Sequence, residues 1–201
     1  GKGQFLVSQQ ILADGNNGIE ADNNRDNNSL TPRSSPTFSN VTLIGTGPGS
    51  SPKGEKRLGL TLRQGTAGLL ENVIVLGFTE MGATIAQDST CAELTAARLG
   101  VKASIFFDNG RDSSANLSTV TTPCDLAAEL RKANNMESNP MLRRPYDQAS
   151  PDFRPQQGSP AMTAAITPPS DGFFSSVSHI GAFGSGDGDD WTQGWTAYPA
   201  N

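Results

Sequence analysis

Seven apolar-rich runs follow one another along the chain, separated by small corners or polar insertions. They are QFLVSQQI (4–11), GIEADN (18–23), TFSNVTLIG (37–45), GLTLRQ (59–64), LLENVIVLGF (69–78), GATIAQ (82–87) and VKASIFFDN (101–109). Short runs open on Gly18, Gly59 and Gly82. Long runs share an internal pattern, Asn40-Val41-Thr42-Leu43-Ile44, Asn72-Val73-Ile74-Val75-Leu76 and Ala103-Ser104-Ile105-Phe106-Phe107. The step from Asn40 to Asn72 is 32 residues, from Asn72 to Ala103 it is 31, and from Gly59 to Gly82 it is 23. A period of this size carrying short strands is the mark of a solenoid, in which each coil lies on the one before and buries a shared core. The segment QGTAG (64–68) suits a corner of such a coil, because its small residues let the chain bend from one face onto the next. An Asn-Gly turn would instead announce antiparallel hairpins. A β-sandwich also supplies short strands, but not the recurring short-then-long pair.

Stacking the three glycines predicts which side chains meet. Ile19, Leu60 and Ala83 fall in one interior column and Ala21, Leu62 and Ile85 in another, since alternate residues of a strand share a face. Glu20, Thr61 and Thr84, then Asp22, Arg63 and Ala86, are expected to face solvent. On the long strands Val41, Leu43, Val73, Val75, Ile105 and Phe107 are assigned to the core face. The insertions 24–36 and 45–57 are rich in Pro, Gly and charge and read as surface loops.

Composition agrees with many short strands and long loops. Apolar residues make up 35% of the 201 residues, with Gly 22 and Pro 13, a poor mixture for a helical bundle. The formal net charge is -5 and no basic cluster interleaves with aromatics, which excludes nucleic acid as a partner. No apolar run approaches the ~20 residues of a membrane helix. Because the first residues already read as a strand, the chain is expected to begin mid-structure, downstream of other coils. Cys91 and Cys124 lack CxxC spacing. They fit one disulfide in an oxidising compartment, the alternative being two buried thiols.

Beyond Asn109 the repeat fades. TTPCDLAAELRKANN (121–135) reads as a helix with Thr122 as N-cap, Pro123 at the first helical position and Leu126, Leu130 and Ala133 along one face. The following residues are Pro-rich. The division expected is coils over 1–120, a helix and Pro-rich excursion over 121–150, and final strands with a C-terminal cap over 151–201.

Two C-terminal stretches carry a family likeness. DFRPQQGSPAMTAA (152–165) resembles the D-x-R-L-x-x-G-S-P-A-I-D-A-G ending of extracellular bacterial right-handed parallel β-helix proteins, and HIGAF (179–183) resembles their terminal D-I-G-A-F/Y strand. Met162, Thr163 and His179 depart from that pattern. NGIEADNN, PRSSPTFSNVTLIG, LRQGTAGLLENVIVLGF and DDWTQGWTAY together resemble a group of uncharacterised secreted or lipoprotein-type β-helix proteins of Gram-negative bacteria, in their C-terminal part. The resemblance implies fold and export, and brings no activity with it.

The expected fold is therefore all-β, a right-handed parallel β-helix with a short helix and an irregular C-terminal cap. Many such scaffolds carry polysaccharide lyases or hydrolases, which work with a basic residue or with paired carboxylates. Here stacking brings Glu20, Asp22 and Arg63 onto one outward face, with Asp88 and Asp108 at strand ends; the simpler outcome is a surface ion pair. Asp187, Asp189 and Asp190 supply oxygens of the kind Ca²⁺ takes, without DxDxDG spacing. The lone histidine, His179, sits in an apolar context and reads as structural. Trp191, Trp195 and Tyr198 would either close the open end of the β-helix or stack on sugar rings. The function expected is a non-catalytic extracellular structural or adhesive role, at the outer cell surface, as a subunit of a surface assembly or filament. Its partners would be upstream coils or another copy at the N-terminal edge, or a cell-surface polysaccharide. The alternative is a carbohydrate-active enzyme or binding module on the same scaffold.

Overall fold

The computed structural model describes residues 1–13, 15–50, 57–194 and 196–197. Six strands alternate between two parallel sheets. β1 (Lys2–Gln9), β3 (Thr37–Ile44) and β5 (Gly68–Leu76) form the long sheet; β2 (Asn17–Asp22), β4 (Leu58–Arg63) and β6 (Met81–Ile85) form the short one. A helix, α1 (Asp88–Thr95), follows, and then β7 (Leu99–Lys102) and β8 (Ile105–Phe107) both pair with β5 to start the next coil. The architecture is the expected right-handed parallel β-helix. A second helix, α2 (Leu126–Lys132), and an antiparallel pair, β9 (Leu142–Arg144) with β10 (Asp152–Pro155), complete the elements that position the sites below.

The glycine register holds. Ile19 pairs with Leu60 and Leu60 with Ala83; Ala21 pairs with Leu62 and Leu62 with Ile85. Leu60, Leu62 and Ala83 are fully shielded from solvent, together with Val41, Val73 and Val75 from the long sheet, and all belong to one interior cluster. Gly59 is required here because a Cβ would overlap Val75 Cγ1 and the Gly82 carbonyl oxygen.

Each long strand is bent at one residue of the same column. Phe5, Asn40, Asn72 and Ala103 have φ of 57, 55, 55 and 46°. The ladder skips these positions, so each long strand comprises two limbs set at an angle. Asparagine suits such a corner because its short polar side chain tolerates the left-handed region.

The structure corrects several finer expectations. Ile105 and Phe107 lie on the outer face and Phe106 points into the coil, because β8 pairs Ile74 with Ile105 and Val75 with Phe106. A one-residue offset exchanges the two faces of a strand. Thr61 was assigned to solvent but is buried; it lies on the middle strand of its sheet, flanked by Glu20 and Thr84. α2 starts at Leu126, and its N-cap is Asp125, whose side chain accepts from the Ala128 N–H, rather than Thr122. Aspartate is the stronger cap of the two. HIGAF (179–183) is not a strand but an irregular segment laid across the long sheet. The insertion 24–36 is mostly exposed, yet it is tied down. Its Arg33 donates to the Asn28 and Gly65 carbonyls and lies 3.6 Å from the buried Glu93 of α1.

The two ends of the solenoid differ. At the C-terminal end both sheets are continued by irregular chain. Gly82 and Ala83 donate to the carbonyls of Ala115 and Leu117, and Ala103 and Phe106 to those of Ala133 and Met136. Over this end α2 buries Leu126, Ala127 and Leu130 in the interior cluster. Cys91 on α1 is joined to Cys124 by a disulfide, which staples the two excursions together. At the N-terminal end nothing described pairs with the outer edges of β1 and β2. The core column rises into solvent there: Val41 is 0% exposed, and Leu6, its partner on β1, is 40% exposed.

Candidate functional site

The short sheet assembles the predicted charged group. Arg63 Nε donates to Asp22 Oδ1 at 2.8 Å and Nη2 to Oδ2 at 3.1 Å, and Nη2 also reaches Glu20 Oε1. Glu20 is further held by Asn17 Nδ2 at 2.7 Å. Partial burial raises the Asp22 carboxyl above its ordinary value. The two carboxylates therefore share one cation, Arg63. What the sequence offers as an acid, a base and a cation is one ionic cluster bound to itself. Asp88 opens α1 and is exposed, and Asp108 accepts from Ser113 Oγ at 2.9 Å, so neither joins the group.

The outer face of the long sheet is covered. A strap formed by residues 160–183 runs across it and buries a second cluster that includes Ile44, Ile74, Leu76, Ile105, Ala161 and Ile180. Side-chain carboxamides stitch the strap down. Asn72 donates to the Ile166 carbonyl at 2.7 Å and accepts from the Ile166 N–H at 2.9 Å. Gln4 makes the same two bonds to Ser175, both at 2.8 Å. Asn40 Nδ2 donates to the His179 carbonyl, and Thr42 Oγ1 accepts from the Ala182 N–H. The Asn residues at the strand corners thus have a task the repeat alone does not reveal: each presents a peptide-like amide to an unpaired segment.

Glu71, on the outer side of the first limb beside Lys102, is 6% exposed and one of its carboxyl oxygens has no partner. Desolvation raises its pKa, and Lys102 opposes the rise. A raised acid stabilises the fold below its unfolded value of 4.5, and that contribution is lost as pH rises through the folded value. Glu71→Gln is accordingly expected to raise Tm at neutral pH, by roughly 2–4 °C for about 1 kcal/mol. Below pH 4 the variant and parent should melt together; the check is thermal melts across pH.

The remaining candidates are engaged locally. Asp187 faces Arg154 at 3.5 Å and Arg143 at 3.7 Å, Asp189 Oδ2 accepts from the Gly186 N–H, and Asp190 Oδ1 accepts from Thr192. Among the described residues no group of three or more His, Cys, Asp or Glu side chains is arranged to hold a metal ion. Trp191 stacks on Phe183 with ring centroids 5.1 Å apart and donates from Nε1 to the Ala182 carbonyl, so it packs against the second cluster at the end of the strap. Trp195 and Tyr198 lie outside the described residues. His179 is half-buried; desolvation lowers its pKa, and Nδ1 lies 3.1 Å from the Gly181 carbonyl oxygen.

Strand order and register together define a parallel β-helix. A family model described as the pectate-lyase-like β-helix domain matches residues 1–148, and the chain belongs to that family. Comparison with curated proteins finds no match, and comparison with solved structures finds none.

Proposed function

We propose that the chain is a non-catalytic extracellular module, structural or adhesive, that joins a surface assembly through the open N-terminal end of its β-helix. The observation that carries this is the exposure of Leu6 above a fully buried column, at strand edges with no described neighbour. Unpaired strand edges of this kind invite β-augmentation. What docks there is a further β-coil, either an upstream coil of the same protein or a coil of a second copy. Lys2 is paired with Asp171, and Glu20 and Asp22 share Arg63, which leaves one net negative charge at this edge, so the contact is expected to tighten as salt is added. With the C-terminal end closed by α2, a pair of copies is two-fold symmetric and not a head-to-tail filament. The disulfide and the lack of any described helix able to cross a membrane fit an extracellular setting.

Sedimentation velocity tests the contact. A dimer is expected at concentrations of about 100 µM, dissociated by Leu6→Lys, because mass action favours association as concentration rises. A parent chain that stays monomeric over that range contradicts docking of a second copy.

Family membership favours one competing function, a carbohydrate-active enzyme on the same scaffold. The roofed long sheet, and an Arg63 already bound by both Glu20 and Asp22, weigh against it. An ultraviolet assay for unsaturated sugar ends, run on a panel of polysaccharides with and without calcium, is expected to yield no product. Product that disappears in Arg63→Ala would establish the enzyme instead.

A further inference from the structure

The strap does more than cover the long sheet, because its own course leaves a pocket of about 680 Å³. Thr167, Ser176, Ser178 and Ser185 line it, with His179 and Asp189 among them. Met162 and Val177 supply an apolar wall. Preformed concave sites with a few converging polar groups on an apolar ground are the usual form of small-molecule sites.

The polar groups define the ligand. A carbonyl oxygen can only accept, so His179 Nδ1 carries the proton in its contact with Gly181, and the neutral ring leaves Nε2 as an acceptor. Desolvation favours that neutral form. Asp189 is acceptor-only, and its one described bond, from the Gly186 N–H, occupies Oδ2. No Lys or Arg is among the described residues lining the pocket, so nothing there would compensate the charge of a phosphate or carboxylate. A ligand suited to this lining donates hydrogen bonds to Asp189 and His179, exchanges them with the Ser and Thr residues, and carries no negative charge. We infer that this pocket binds a neutral polyhydroxylated molecule, a sugar alcohol or the end of a neutral saccharide. The site is independent of the N-terminal contact, and it lies on the C-terminal strap rather than along the stacked strands.

The chain has one histidine, so its Hε1 proton gives a single reporter in a one-dimensional NMR spectrum without assignment. Sorbitol, maltohexaose, hexagalacturonate and spermidine serve as probes. Sorbitol or maltohexaose is expected to shift the signal saturably, with Kd in the roughly millimolar range usual for small polar ligands. Asp189→Asn keeps an acceptor for the Gly186 N–H but removes the charge, and is expected to weaken binding about tenfold. Ser178→Ala, which leaves the Gly181 and Gly186 contacts intact, should weaken it less. The inference is overturned if neither neutral probe moves the signal at about 50 mM, well above that Kd. It is overturned equally if hexagalacturonate or spermidine binds more tightly than both neutral probes, or if Asp189→Asn leaves the affinity unchanged.

Discussion

Asn72→Ala is expected to cost about 3–4 kcal/mol. Roughly 2–3 of this comes from stranding the Ile166 N–H and carbonyl, both of which the Asn72 carboxamide satisfies under the strap. About 1 kcal/mol more comes from holding alanine at φ 55° without the local hydrogen bonding that lets asparagine occupy the left-handed region. For a chain of this size each kcal/mol moves Tm by about 2–4 °C, so a fall of roughly 10 °C is anticipated. Asn72→Gly separates the two causes, since glycine accepts the backbone conformation and loses only the clamp. It should recover part of the loss. Equal melting temperatures for both variants would mean that backbone conformation contributes nothing, and parental stability in Asn72→Ala would mean that the strap is not held by this side chain.

A larger effect is expected at Gly59. Its Cβ would overlap Val75 Cγ1 and the carbonyl oxygen of Gly82, so Gly59→Ala must force two stacked coils apart at the centre of the interior cluster. Overpacking of a filled core costs about 1–3 kcal/mol and more where backbone is the obstacle, so a loss above about 4 kcal/mol is expected here. The result would be a sharply lower Tm or loss of soluble protein. Gly188→Ala is the control. A Cβ there meets nothing within 4 Å, and the change should fall within about 0.5 kcal/mol of the parent. A tolerated Gly59→Ala would contradict the stacking of the short sheet itself.

These two positions also mark how far the sequence was legible. Gly18, Gly59 and Gly82 recur because stacked backbones leave no room for a side chain, so the pattern that holds the register is also visible in the chain. The same holds for the interior columns, whose period follows directly from burial. Asn40 and Asn72 were visible as repeat markers, but their work was not. Their partners, His179 and Ile166, lie 139 and 94 residues away, and nothing periodic connects them. The strap is irregular, and the one strand its sequence suggested, HIGAF, is not formed, so its course over the sheet was not announced. α1 was missed for a related reason: its buried residues are Thr90, Cys91 and Glu93, and two of the three are polar, so no apolar stripe announces it. Glu93 is buried only because Arg98 bonds it at 2.6 and 3.0 Å, with Arg33 nearby, a neutralisation that no single run of residues displays.

The charged cluster was legible as a grouping and not as chemistry. Register alone places Glu20, Asp22 and Arg63 together, but only side-chain geometry reveals that they satisfy one another. The pocket on the strap was not legible at all, because the residues that line it reach from Met162 to Asp189 and come together only when the strap folds over the sheet. His179 was read as structural from its apolar flanks. Those flanks, Ile180 and Ala182, do face the buried cluster, while His179 itself lines the pocket.

Among the described residues, the chain's own strap closes the outer face of the long sheet over Ile44, Ile74 and Ile105. Native-state hydrogen exchange resolved by peptide mass spectrometry tests it most directly, because opening free energies differ between packed and loose segments. The amides of Ile166, Ile180, Gly181 and Ala182, which donate to Asn72, Ala161, Asn72 and Thr42, are expected to be protected to the same degree as those of β5. Exchange of residues 160–183 at the rate of an unstructured peptide, with β3 and β5 still protected, would show an open face and contradict the account.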